Sequence, residues 1–107
     1  MKQELLNILK NPNDKLIAID MDGTICTGKF WETEECKPIQ KMIDKVCSLY
    51  KNGAHIIIYT ARDLKYYEMT NAWLMKYGVP FHGISMQKKI GADLYIDDKS
   101  LNVEDVP

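Results

Sequence analysis

A chain of 107 residues, 46% hydrophobic and 27% charged, is long enough for one compact domain (1–107) with a single core and too short for a comfortable second one. Its formal net charge of −1 gives no overall pull toward nucleic acid or an anionic membrane, so any polyanion recognition has to be local. No apolar run approaches bilayer-spanning length, and MKQELLNILKNPND carries acids and amides where a signal peptide has an apolar core, so the expected location is the cytoplasm.

Within residues 1–10, Leu5, Ile8 and Leu9 fall at helical spacing and predict a short leading helix, ended by the turn sequence NPND. The continuous apolar run KLIAID then reads as a strand covered on both faces, as parallel strands are. GTICTGKFWETEEC has no clean period and predicts a turn followed by a small hairpin or flap. From Pro38, the positions Ile39, Met42, Ile43, Val46, Leu49 and Tyr50 keep the helical period until Gly53. AHIIIYT is a second apolar strand, DLKYYEMTNAWLMKYG a second crossover helix closed by Gly78, PFHGIS a weaker third strand and ADLYIDD a fourth.

Strands alternating with helices predict an α/β fold with a parallel sheet and right-handed crossovers. Ligands of such sheets collect outside the carboxyl ends of the strands. Three strands end there in polar residues: Asp20 and Asp22, Thr60 and Arg62, and Asp97 and Asp98. The three cysteines, Cys26, Cys36 and Cys47, are an odd set without a C-x-x-C pair and read as reduced structural thiols.

Carboxylates crowded at one sheet edge call for a cation, and an all-oxygen donor set of Asp20, Asp22, Asp97 and Asp98 suits a hard divalent ion, Mg²⁺. Such sites also serve phosphoryl groups. Thr60 offers a hydroxyl, its neighbours including Ala61 offer backbone amides, Arg62 offers a planar fork, and Lys88 or Lys89 a point charge. Arg62 is the single arginine beside thirteen lysines. Its plain alternative is a surface cation pairing with Asp63 or Glu68.

These residues resemble the motifs of the haloacid dehalogenase superfamily of aspartate-nucleophile phosphotransferases: DMDGT for D-x-D-G-T, IIIYT for the apolar strand ending in Thr, and KKIGADLYIDD for the Lys followed by a strand ending in acids. The resemblance implies a three-layer Rossmann-like parallel sheet with helices on both faces. It casts Asp20 as the nucleophile that forms an aspartyl-phosphate and Asp22 as general acid and then base. Gly23 and Thr24 complete the phosphate-side turn. Mg²⁺ would be held by the Asp20 side chain, the Asp22 main-chain carbonyl and one acid of the Asp97/Asp98 pair, with Asp98 preferred. The motif lysine is Lys89 by its spacing to Ala92 and Asp93, with Ile90 where relatives often have Pro; Lys88 is the alternative.

The intervals between the motifs hold only a flap, a helix and a short strand, so the expected architecture is capless and the site open. A macromolecular phosphate could reach it, or a small ester enclosed by a second copy of the chain. Similarity to short phosphatases of bacterial capsule and surface-polysaccharide biosynthesis implies a sugar or polyol phosphate. The competing readings are a nucleic-acid 3′-end phosphatase, opposed by the lack of a basic stripe, and a receiver-like module phosphorylated without turnover. Phe30 and Trp31 belong to the loop expected over the site, whereas Tyr66 and Tyr67 fit core positions better. His55 and His82 read as structural or packing residues. Cys26 is excluded as a phosphatase nucleophile because CTGKFWET holds no arginine.

Overall fold

The computed structural model describes residues 2–27, 36–87 and 91–96. Helix α1 (Lys2–Lys10) turns Leu5, Ile8 and Leu9 onto the core, and strand β1 (Leu16–Asp20) buries Ile17, Ala18 and Ile19 completely. Helix α2 (Gln40–Lys51) follows, burying Met42, Ile43, Val46 and Leu49. Strand β2 (His55–Thr60) leads through a 3-10 turn (Leu64–Tyr66) into α3 (Tyr67–Lys76). Strands β3 (Gly83–Met86) and β4 (Leu94–Ile96) complete the sheet. None of the described helices is long and apolar enough to cross a membrane.

The four strands are parallel in the order β3-β2-β1-β4, the predicted α/β architecture with a Rossmann-like core. Register aligns Ile17 with Ile56 and Leu94, and Ile19 with Ile58 and Ile96. All six are buried, because side chains in register on parallel strands share a face. Ile57, Tyr59 and Tyr95 point the other way and are half-buried, with Tyr59 edge-on to Tyr95 at 6.0 Å between ring centroids. The β1–α2–β2 and β2–α3–β3 connections step in one direction, so right-handed crossovers place both helices on the same face. There Cys47 Sγ of α2 donates to the Gly78 carbonyl just past α3, at 3.7 Å. Strand β4 lies on the opposite side of β1, so the strand order reverses at β1. That reversal opens a crevice at the carboxyl end of β1.

Two side chains replace ladder bonds at the amino end of the sheet. Leu16 N donates to Asp93 Oδ2 at 2.6 Å while Asp93 N donates to the Leu16 carbonyl at 2.8 Å. Ile56 N donates to His82 Nδ1 at 3.0 Å while His82 N donates to the Ile56 carbonyl at 2.8 Å. This explains why β3 starts at Gly83 rather than within the predicted PFH: Pro80 has no N–H to give, and His82 bonds through its ring. Helix α2 starts two residues past Pro38 because Pro38 bridges Cys26 and Ile39 N donates to the Ile25 carbonyl at 2.9 Å. The flap is described only at this base; Phe30 and Trp31 lie outside the described residues.

The turn before β1 and the turn after α2 lock together. Asp14 N donates to the Gly53 carbonyl at 3.0 Å, and Gly53 has φ +91° with Asn13 Oδ1 packed where a Cβ would stand. Only glycine satisfies both the backbone and the space there.

Candidate active site

Strand β1 ends at Asp20, Met21 inserts fully buried into the core, and the chain turns at Gly23, whose φ of +87° suits glycine. The Met21 carbonyl receives three amides, Thr24 N at 3.2 Å, Ile25 N at 3.0 Å and Cys26 N at 3.3 Å, and Gly23 N donates to the Cys26 carbonyl at 2.8 Å. This tight turn stops the strand alternation and lets both Asp20 and Asp22 line one cleft. Thr60 and Ala61 at the end of β2, then Arg62, Asp63 and Tyr66, and Gln87 after β3 complete a cleft of about 410 Å³.

The charge on Asp22 is met from within the protein. Arg62 Nε donates to Asp22 Oδ2 at 2.9 Å and Nη2 to Oδ1 at 2.7 Å, a fork-on-carboxylate pair with the guanidinium only 3% exposed and the carboxylate 15%. The remaining corner, Nη1, donates to Thr70 Oγ1 at 3.0 Å. Arg62 N donates to Thr60 Oγ1 at 3.2 Å, tying the fork's backbone to the β2 terminus. These contacts point the Arg62 fork at Asp22 and α3 rather than out of the cleft.

Two thiols complete the wall behind Asp22. Cys26 Sγ donates toward Asp22 Oδ1 at 3.5 Å, Cys36 Sγ does so at 3.7 Å, and Arg62 Nη2 lies 3.5 Å from Cys36 Sγ. Burial, then the charge of Asp22, pushes the Cys26 thiol far above its ordinary range; burial likewise raises Cys36. Burial opposes the charge on Arg62, but its hydrogen bonds to Asp22 and the charge there more than offset this, and its pKa is raised. The Asp22, Cys26 and Cys36 ligand atoms lie within 4.8 Å of one another, a spacing compatible with a soft metal. The cation among them is Arg62. Next to this wall, Thr24 Oγ1 is buried and has no hydrogen-bond partner among the described residues.

Of the residues expected to carry the chemistry, Asp20, Asp22, Thr60, Ala61 and Arg62 meet in the cleft, and Gly23 and Thr24 form the turn beneath it. Lys88, Lys89, Asp97 and Asp98 lie outside the described residues. Tyr66, expected in the core, lines the cleft instead, because the segment after Asp63 starts as a 3-10 turn rather than an α-helix and so rotates that ring outward. Tyr67 is exposed. Asp63 and Gln87 were not anticipated; Gln87 has φ +61° and its N donates to the Thr60 carbonyl at 2.6 Å, a left-handed backbone that few side chains adopt freely. Thr70, Cys36 and Trp73 also escaped the sequence, since their roles depend on tertiary closure.

The chain shares its fold with two solved proteins. A conserved protein from Bacteroides thetaiotaomicron superposes with a TM-score of 0.68 at 24% identity, over 89% of this chain and 83% of that one. A protein from Vibrio cholerae superposes with a TM-score of 0.63 at 27% identity, over 86% of each chain. No family model and no curated protein matches the sequence.

Proposed function

We propose that the protein is a Mg²⁺-dependent phosphomonoesterase of the haloacid dehalogenase type, working through an aspartyl-phosphate on Asp20. The observation that carries this reading is the meeting of Asp20, Asp22 and Thr60 in one cleft at the carboxyl ends of adjacent parallel strands, where the strand order reverses. In the first half-reaction an Asp20 carboxylate oxygen bonds to phosphorus and the ester P–O bond breaks, its electrons going to the leaving oxygen, which takes the proton carried by the protonated form of Asp22. In the second, Asp22 takes a proton from water as the water oxygen bonds to phosphorus. The Asp20–phosphorus linkage breaks, inorganic phosphate leaves and the free carboxylate returns.

The donors here suit a hard divalent cation. The Asp20 carboxylate and the Asp22 main-chain carbonyl would be its oxygen ligands, the Asp22 carboxylate being already taken by Arg62, and Asp97 or Asp98 would be the further acid. Bound Mg²⁺ would supply charge neutralisation of the phosphoryl oxygens. Thr60 and the Ala61 amide would hold those oxygens, with Lys89 or Lys88 as the added cation.

A small sugar or polyol phosphate fits the rim best. Asp63, Tyr66 and Gln87 offer an acid, an aromatic face and an amide, groups suited to a neutral polyhydroxyl body. An acid on the rim and an inward-facing arginine weigh against a nucleic-acid end, and Asp22 beside Asp20 weighs against a phosphorylated module without turnover. A cytoplasmic location fits the free thiols, and a second copy of the chain could close the open cleft. The test is phosphate release from sugar, polyol, nucleotide and oligonucleotide 3′-phosphates, with Mg²⁺ and with chelator, beside Asp20→Asn. Absence of metal-dependent release across the panel would overturn the reading.

A further inference from the structure

Helix α3 supports part of the wall behind Asp22. Thr70 is completely buried and its hydroxyl accepts from Arg62 Nη1. One turn later, Trp73 Nε1 donates to the Cys36 carbonyl at 2.9 Å, and Cys36 directs its thiol to the same Asp22 oxygen that Arg62 Nη2 holds. Residues at this spacing share a helix face, so one face of α3 supports two of the three groups that contact Asp22, Arg62 and Cys36, while Cys26 is held by the turn.

We infer that Thr70 is a positioning residue for Asp22, acting through Arg62. A guanidinium bound to a carboxylate by its Nε/Nη2 edge can still tilt with its partner; fixing the third corner, Nη1, to a group on a packed helix removes that freedom. The backbone of Arg62 is fixed separately by Thr60, so the Thr70 hydroxyl sets the plane of the fork and hence the direction of the Asp22 carboxylate. Valine at position 70 would keep the volume and leave Nη1 without its acceptor in a dry site. The catalytic consequence rests on the phosphomonoesterase reading; the geometric relation does not.

Because Arg62 is the single arginine, ¹⁵N-arginine labelling reports this fork without overlap and without substrate. In the wild-type protein and in Thr70→Ser, the Nη protons should be resolved and protected from exchange. Thr70→Val should lose the Nη1 signals and shift Nε–H, and Asp22→Asn should shift Nε–H as well. In phosphate release, Thr70→Val should lower kcat by about 10- to 100-fold, the range a small misplacement commands, with KM within about twofold, and Thr70→Ser should restore kcat to within about threefold. Unmoved Arg62 signals in Thr70→Val overturn the inference, as does an equal fall of kcat in the Ser and Val variants. Should the wild type release no phosphate while the Arg62 signals respond as stated, the enzyme reading fails and the positioning geometry stands.

Discussion

Arg62 holds both oxygens of the Asp22 carboxylate, although the two residues are 40 positions apart in the chain. Removing one partner of a pair this enclosed leaves the other charge without compensation, whereas removing both does not. Arg62→Met is therefore expected to destabilise by about 2–4 kcal/mol, discounted from the fully buried case because Asp22 keeps some solvent contact. Asp22→Asn combined with Arg62→Met should fall well short of the sum of the two single effects. Urea unfolding of the four proteins in the cycle measures the coupling; strict additivity would show that the fork adds nothing to stability.

If the proposed mechanism holds, Asp20→Asn should keep the fold and lose at least about a thousandfold in phosphate release, the scale on which an essential nucleophile acts. An unchanged thermal midpoint beside full activity would remove Asp20 from the mechanism. Chelator should silence the wild type and leave its circular dichroism unaltered.

Gly53→Ala meets two obstacles, a φ of +91° and the Asn13 side chain. A loss of about 1–3 kcal/mol is expected from the backbone conformation and the crowding together. Adding Asn13→Gly should return only the crowding share, which thermal unfolding of the single and double variants can separate.

The raised thiols give stability an alkaline limit. Cys26 and Cys36 stay protonated in the fold beyond the ordinary thiol value of 9.0, so above that pH the unfolded chain releases protons that the native one keeps. Stability is therefore full below pH 9 and falls as pH rises past it, by up to about 1.4 kcal/mol per pH unit for each thiol so held. Cys26→Ala should flatten the decline. Under native conditions at pH 8, Cys47, which is half-buried, should react with a thiol reagent well before the other two.

Strands β1 and β2 and helix α2 were legible in the sequence because each carries one unbroken signal: a continuous apolar run or a sustained helical period ended by glycine. The D-x-D-G-T turn was legible for a different reason, since short-range backbone geometry alone brings Asp20 and Asp22 to one edge. Long-range closure was not. Arg62 had acids within a few residues, Asp63 and Glu68, yet the fold gives it Asp22, because β1 and β2 are neighbours whose carboxyl ends meet. Thr70 sits in a helix with little amphipathic pattern, and nothing local marks its hydroxyl as the group that receives the fork. Tyr66 turned outward because Asp63 caps a 3-10 turn, accepting from Lys65 N at 3.3 Å, which shifts the helical phase.

Asp93 and His82 stitch the amino edge of the sheet with side chains, while the described candidates for chemistry, Asp20, Asp22, Thr60, Ala61 and Arg62, sit on the carboxyl edge. Changes at the two edges should therefore register in different assays: those at Asp93 or His82 in melting temperature, those around the cleft in turnover. A sheet anchored at one edge in this way leaves the other open to drift, and on the phosphomonoesterase proposal Asp63, Tyr66 and Gln87 are where selection would exchange one ester for another without rebuilding the protein.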